Sequence, residues 1–235
     1  MLQVAPARFQ RQVELLLESG FQFVTVARLA QLAAGREPPP GYAAISFDDG
    51  LRNNCTVALP ILQQYRIPAT VYVTIGYIDK TNPWIGPEGD NRMLSEDEIR
   101  ELAAADWELG AHTMTHPDLS TLDYGASRRE IEDSRIALED IIGGTRVETL
   151  AYPFGRYTQE TVAATRDSGF VAAVTTGSGI WSPYELTRAM IGTIDPMPII
   201  LLKLTDRYEP ILHSPAIRPI RTAAREIRRQ MQARR

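Results

Sequence analysis

The feature that most constrains the fold of this chain is a regular alternation of short β-branched segments with amphipathic helical segments. The sequence predicts strands at 21–26, 42–47, 69–75, 107–111, 149–152, 170–176 and 189–194. It predicts helices at 6–19, 27–34, 57–65, 95–106, 126–142, 158–168 and 198–204. Strands and helices that alternate at this spacing favour parallel strand pairing with the helices outside. We therefore expect an α/β fold in the form of a closed or partly closed barrel.

The 235 residues suit one large domain, which we place at residues 1–205, followed by a basic extension at residues 206–235. Seven arginines and one acidic residue follow Ala216, which gives that segment a net charge of about +6. A solvated helical extension, a peripheral contact with anionic lipid and an oligomer or partner contact are all consistent with this pattern. The net charge of −4 for the whole chain argues against a nucleic-acid partner.

The compartment is constrained by cysteine content and hydropathy. Cys55 is the single cysteine, so the fold cannot depend on an internal disulfide, and we expect this side chain to be a small buried hydrophobe. The chain as written shows neither a signal peptide nor an apolar stretch of membrane-spanning length. These observations predict a cytoplasmic or membrane-peripheral protein, although a truncated chain would look the same.

Three motifs end predicted strands: ISFDDG, HTMTH and AYPFG. In parallel barrels, chemistry gathers at the carboxyl ends of the strands, so the three motifs should converge on one rim. Asp48 and Asp49 follow a buried strand, where they could form an ordinary turn. Two ionised carboxylates at such a place also favour a bound cation or hydrogen-bond donor.

His112 and His116 are two of only three histidines in the chain. Their spacing places both imidazoles on one face of a single helical turn, although Pro117 disfavours a longer helix and a loop is equally consistent. Two histidines and one aspartate would leave coordination positions for water and substrate, as in a catalytic metal site. Zn²⁺ is the first choice for such mixed ligands, with Co²⁺ and Ni²⁺ as alternatives.

In order and spacing, the three motifs resemble the first three motifs of the polysaccharide deacetylase family, also called the NodB-homology or carbohydrate esterase 4 group. The resemblance implies a distorted (β/α) barrel. It implies that Asp48 is the general base and that Asp49, His112 and His116 bind the metal. It further implies that the backbone N–H of Phe154 helps to form the oxyanion hole.

The chain departs from the family pattern at several positions. Ala151 stands where many members have an arginine that holds the base, and Arg188 could supply that charge or could be a solvated strand-edge residue. Trp181 and Asp195 are candidates for an acidic, tryptophan-containing fourth motif that is not otherwise visible. His213 is the remaining histidine and thus the candidate general acid; otherwise water, Asp48 or another residue would protonate the leaving amine.

The leading functional hypothesis is hydrolysis of N-acetyl groups on an amino-sugar glycan or glycan precursor. An O-acetyl-glycan esterase, or an amidase or deformylase of small substrates, would use the same chemistry. A glycan-binding barrel without catalysis is the alternative from another class.

Overall fold

We describe the fold from a computed structural model, in residues 4–34, 39–85, 91–176, 181–192, 195, 199–200 and 203. The chain divides into two compact units, Met1–Arg188 and Ala189–Arg235. The first unit carries all the strands and helices named below. Residues 206–235 lie outside the described residues, so the predicted domain division at 205 and the roles of the basic extension stay predictions.

Where the structure describes the first unit, its strands form two parallel sheets. Its strands are β1 (Gln22–Phe23), β2 (Tyr42–Ala43), β3 (Ser46–Phe47), β4 (Thr70–Val73), β5 (Glu108–Ala111), β6 (Thr149–Ala151) and β7 (Ala172–Val174). Strands β1 and β2 pair with each other, while β3 to β7 form a five-stranded sheet in sequential order with every pair parallel. This curled parallel sheet confirms the α/β class and the distorted barrel.

Among the described residues, the first α-helix precedes β1 and the other five follow β1, β3, β4, β5 and β6. They are α1 (Pro6–Glu18), α2 (Val26–Ala33), α3 (Leu59–Gln64), α4 (Glu96–Ala104), α5 (Tyr124–Ile141) and α6 (Gln159–Asp167). The capping box predicted at the start of α4 is present, because the Ser95 side chain accepts from Glu98 N and the Glu98 side chain accepts from Ser95 N. Within the described residues, no helix is both long and apolar enough to cross a bilayer.

Two predicted elements differ from the structure. The segment at 42–47 is two strands, because Tyr42 and Ala43 pair with β1 whereas Ser46 and Phe47 pair with β4. The prediction of a strand at 189–194 is wrong for its described part, because Ala189–Gly192 form no strand. Pairing with Val174 occurs earlier, at Leu186, because Leu186 is buried against the sheet while Met190 is exposed. Most of the predicted helix at 198–204 lies outside the described residues.

The core of the first unit places the carboxyl ends of the strands at one rim. All four residues of β4 are buried, as expected for a parallel strand covered on both faces. Phe47, at the end of β3, stacks on the ring of Trp107 at a centroid distance of 5.9 Å. Directly beyond β3, β5 and β6 come the DDG, HTMTH and YPFG segments, so the three motifs meet as the sequence predicts.

Candidate active site

Asp49, His112 and His116 form a compact cluster at this rim. One potential ligand atom from each residue lies within 4.8 Å of the others. Asp49 Oδ1 is 3.5 Å from His112 Nε2 and 3.4 Å from His116 Nε2. Both histidine side chains are buried. The structure therefore brings together the three residues that the sequence nominates as metal ligands.

The hydrogen bonding of His112 shows that the cluster fits a cation. Its Nδ1 lies 2.7 Å from the carbonyl oxygen of Ala151, which can only accept, so Nδ1 carries the proton. His112 Nε2 is then the nitrogen that faces the carboxylate of Asp49. A divalent metal between them would use both atoms as ligands.

Electrostatics keep Asp49 in the ionised form that a metal ligand requires. Burial raises the pKa of Asp49, but hydrogen bonds from the two imidazoles and from the Trp84 indole outweigh it. The net effect holds the pKa of Asp49 well below its ordinary value. The carboxylate is thus available for a cation.

The segment from His112 to His116 is a loop rather than the single helical turn that was the other prediction. Thr113 and His116 have φ angles of 65° and 61°, which a right-handed helix excludes. The carboxylate of Glu130, on α5, accepts from Met114 N at 3.0 Å, from Thr115 N at 2.9 Å and from the Thr115 hydroxyl at 2.7 Å. These bonds fix the loop in a conformation that turns both imidazoles inward.

Asp48 is held by Arg188. The guanidinium donates from Nη1 to Oδ1 at 2.6 Å and from Nη2 to Oδ2 at 2.8 Å, a two-bond pairing. Arg188 is fixed in turn by donating to the Ser46 hydroxyl at 3.1 Å and to the Thr175 carbonyl at 3.2 Å. Burial raises the pKa of Asp48, but the adjacent Arg188 cation outweighs it and lowers the pKa below its usual range.

The surroundings of Ala151 explain how Arg188 reaches Asp48. Ala151 ends β6 and is completely buried in a cluster with Tyr72 and Leu186. The guanidinium of Arg188 lies over the Tyr72 ring at 5.5 Å from its centroid, a cation–π distance. Arg188, which follows Leu186 in the chain, thus brings to Asp48 a positive charge that Ala151 cannot supply.

Phe154 lies on a strained turn after β6. Its φ of 60° is in the left-handed region, and the next residue, Gly155, has a φ of 66°. A Cβ at Gly155 would collide with the side chain of Thr176, so this position requires glycine. Phe154 is 55% exposed, and its ring packs edge-on against His116 at a centroid distance of 4.7 Å. The Phe154 side chain therefore contacts one of the three metal-ligand candidates.

Trp84 is a site residue that the sequence analysis missed. Its indole Nε1 donates to Asp49 Oδ2 at 3.1 Å, and its ring stacks on the imidazole of His116 at 4.1 Å with planes 6° apart. Trp84 belongs to a connection that follows β4, 35 positions from Asp49. No motif spacing links it to the other residues, so only the folded chain reveals it.

The remaining candidates are His213, Trp181 and Asp195. His213 lies outside the described residues, and its role as general acid stays a prediction. Trp181 is partly buried against the cluster that contains Tyr72. Asp195 belongs to the second unit, where Lys203 Nζ donates to its Oδ2 at 2.7 Å. The structure shows an ion-paired carboxylate at Asp195, and the fourth-motif assignment stays a prediction.

The chain belongs to the polysaccharide deacetylase family, whose model matches residues 35–173. It is 28% identical over 180 residues to a Bacillus subtilis protein assigned to the polysaccharide deacetylases, which covers 76% of this chain and 60% of the relative. It is 29% identical over 171 residues to a chitooligosaccharide deacetylase of Bradyrhizobium, with 71% of each chain covered. The chain thus spans about three fifths of the length of the first of these relatives.

Solved structures agree on the fold. A Streptococcus pyogenes deacetylase, determined in complex with acetate, superposes with a TM-score of 0.75 at 24% identity and covers 86% of this chain and 88% of its own. The chain is thus a member of a family that contains carbohydrate deacetylases, and its Asp49, His112 and His116 cluster is a candidate metal site.

Proposed function

We propose that this chain is a metal-dependent hydrolase that removes N-acetyl groups from an amino-sugar glycan or a glycan precursor. The observation that carries the proposal is that two neighbouring carboxylates, Asp48 and Asp49, have different partners. Asp49 faces two imidazoles, while Asp48 is gripped by Arg188. One carboxylate is thus placed to bind a cation and the other to take a proton.

Asp48 is the general base of this proposal. Its side chain is 36% exposed, so water and substrate can reach it. Arg188 holds both carboxylate oxygens and keeps them ionised, which leaves a lone pair free to accept a proton from the attacking water. The proton that Asp48 takes is then available to the leaving amine, with His213 as the sequence-based alternative donor.

The metal and the Phe154 turn complete the proposed site. A divalent metal bound by Asp49, His112 and His116 supplies Lewis acidity, which polarises the acyl oxygen and makes water more acidic. The Phe154 N–H donates to the oxygen that gains negative charge as the carbonyl is attacked. Zn²⁺ suits two imidazoles and one carboxylate best.

The choice of an amide bond follows from the relatives. One of them is a chitooligosaccharide deacetylase, and the acetyl groups of chitooligosaccharides are carried on nitrogen. An ester-linked acetyl group would react by the same steps, because the proposed roles of Asp48, Phe154 and the metal involve only the acyl group and the water.

The decisive test combines metal analysis with a panel of acetylated substrates. The purified full chain should contain one divalent metal ion per molecule and should release acetate from chitooligosaccharides faster than from acetylated xylan. Faster release from xylan would favour the esterase. Stoichiometric metal without hydrolysis of any acyl sugar would favour a glycan-binding barrel, and the absence of bound metal would refute metal dependence.

A further inference from the structure

The indole of Trp84 contacts two of the three candidate metal ligands. From these contacts we infer that Trp84 is a positioning residue, which holds Asp49 so that this carboxylate binds the metal through Oδ1 alone and which fixes the plane of the His116 imidazole. The inference rests on the proposed metal-dependent function and assigns a task to a residue outside the three motifs.

The hydrogen bond from Trp84 distinguishes the two oxygens of Asp49. Oδ2 accepts from the indole Nε1 at 3.1 Å, and Oδ1 is the oxygen that lies 3.5 Å and 3.4 Å from the two imidazole Nε2 atoms. An oxygen that accepts from a fixed N–H has less electron density to give to a cation and cannot turn away without losing its donor. Asp49 therefore offers one ligand atom rather than two.

Single-oxygen binding has a consequence for the coordination sphere. Two imidazoles and one carboxylate oxygen occupy three positions, and the positions that remain can accept water and substrate. A carboxylate that bound through both oxygens would occupy one position more. The indole N–H thus helps to keep the site open for the acyl group.

Stacking fixes the second ligand. The Trp84 and His116 rings are 4.1 Å apart and nearly parallel, and the Phe154 ring meets His116 edge-on at 4.7 Å. An imidazole between a parallel ring and a perpendicular ring cannot rotate about its Cβ–Cγ bond without a clash. Its Nε2 is therefore aimed at Asp49 before a metal arrives.

Trp84 is itself held in place. The side-chain oxygen of the buried Asn82 accepts from Trp84 N at 3.0 Å and from Ile85 N at 2.9 Å, and this pattern forms a tight turn. The Tyr77 ring packs edge-on against the indole at 4.9 Å. Because Asn82 holds the Trp84 backbone and Tyr77 packs against the Trp84 ring, the indole can orient Asp49 without losing freedom when the metal binds.

The test compares two tryptophan-to-phenylalanine changes in the full-length protein. Trp84→Phe keeps an aromatic ring and removes the N–H, while Trp107→Phe makes the same change in the core, where Trp107 stacks on Phe47. Zinc affinity is measured by competition with a chelator. Bound Co²⁺ is examined by its visible absorption, which depends on coordination geometry. Thermal unfolding of the metal-free proteins reports stability separately.

We expect Trp84→Phe to weaken zinc binding by about tenfold or more, as is typical when a partner of a metal ligand is lost. Its cobalt spectrum should shift towards higher coordination, because Oδ2 is released. Trp107→Phe should lower the unfolding temperature and leave zinc affinity unchanged. Should Trp84→Phe fail to fold, Asn82→Ala replaces it, since this change releases the turn and should also weaken zinc binding.

Unchanged zinc affinity in Trp84→Phe, or an equal loss in Trp107→Phe, would overturn the positioning role. Lower affinity with an unaltered cobalt spectrum would support positioning and overturn single-oxygen binding. If the wild-type chain itself binds no divalent metal, the proposed function fails, and the inference fails with it. A wild-type protein that binds metal while Trp84→Phe behaves identically contradicts the inference alone.

Discussion

Arg188 donates two hydrogen bonds, of 2.6 Å and 2.8 Å, to the carboxylate of Asp48, although 140 positions separate the two residues in the chain. Arg188 follows the residue that pairs with β7, whereas Asp48 directly follows β3. The pairing brings a cation to the proposed base from a part of the chain that no motif identifies. Its partners in the barrel, Ser46 and Thr175, fix the guanidinium before substrate binds.

Arg188→Lys should lower kcat while leaving the metal content intact. An ammonium group cannot form the paired bonds of the guanidinium, so Asp48 loses its fixed orientation. A displaced catalytic group of this kind costs about 100-fold in rate. Acetate release and metal analysis of the same preparation check the expectation. Arg100→Lys, on the exposed face of α4, is the matched control, and equal activity of the two variants would contradict the role of Arg188.

Asp48→Asn and Asp49→Ala should separate the two neighbouring carboxylates. Asp48→Asn cannot take a proton and should lose turnover while it retains metal. Asp49→Ala removes a ligand and should lose metal and turnover together, as should alanine at His112 or His116. Near-full activity in Asp48→Asn would show that another group is the base.

Glu130→Gln should weaken metal binding without a large loss of stability. The carboxylate of Glu130 accepts three hydrogen bonds from Met114 and Thr115, and a neutral amide accepts them less strongly. Because this loop orients both imidazoles, we expect about a tenfold lower zinc affinity. Glu132→Gln, also on α5 but paired with Arg128, should bind zinc normally. A normal zinc affinity for Glu130→Gln would argue that the loop holds its shape unaided.

Gly155→Ala should destabilise the chain more than Gly143→Ala. Both glycines have φ angles near 70°, so alanine at either position incurs about 1 kcal/mol of backbone strain or more. Only at Gly155 does a Cβ also collide, with Thr176, whereas Gly143 faces open space. Chemical denaturation measures the difference. Gly155→Ala should also reduce activity, because Phe154 shares its turn. Equal destabilisation of the two variants would contradict the close packing of Gly155 against Thr176.

Cys55 should resist thiol reagents in the folded protein. The sequence predicts a buried side chain, and the structure agrees, with the thiol donating to the carboxylate of Glu101 at 3.4 Å. Burial, followed by the hydrogen bond to Glu101, raises the pKa of Cys55 from 9.0 to about 12. The Cys55 thiol therefore loses its proton at a lower pH in the unfolded chain than in the folded chain. As the pH rises above about 9, this difference lowers the free energy of unfolding.

The measurement is the rate of reaction with an aromatic disulfide reagent at about pH 8, with and without urea. The folded protein should react slowly, because the reactive thiolate is scarce and shielded. The urea-unfolded protein should react fully. Rapid modification of the folded chain would show that Cys55 is accessible.

Local pattern and chain order account for what the sequence alone predicted. The alternating segments of the sequence predict the parallel sheet. In such a sheet, the residues that directly follow the strands lie at one rim. Asp49, His112 and His116 could therefore be grouped from their positions after predicted strands. The capping box at Ser95 acts within one helical turn and is likewise readable. The resemblance to the deacetylase family rested on these same motifs.

The tertiary structure decided the contacts between distant side chains. From the sequence, Arg188 could be either the partner of Asp48 or a solvated strand-edge residue. The fold pairs it with Asp48, because Leu186 joins the sheet beside Val174. No sequence pattern pointed to Trp84, because its hydrogen bond to Asp49 depends on how the connection after β4 returns across the rim. Periodicity and spacing encode short-range geometry, whereas the partner of a charged or aromatic side chain depends on the packing of segments that lie far apart in the sequence.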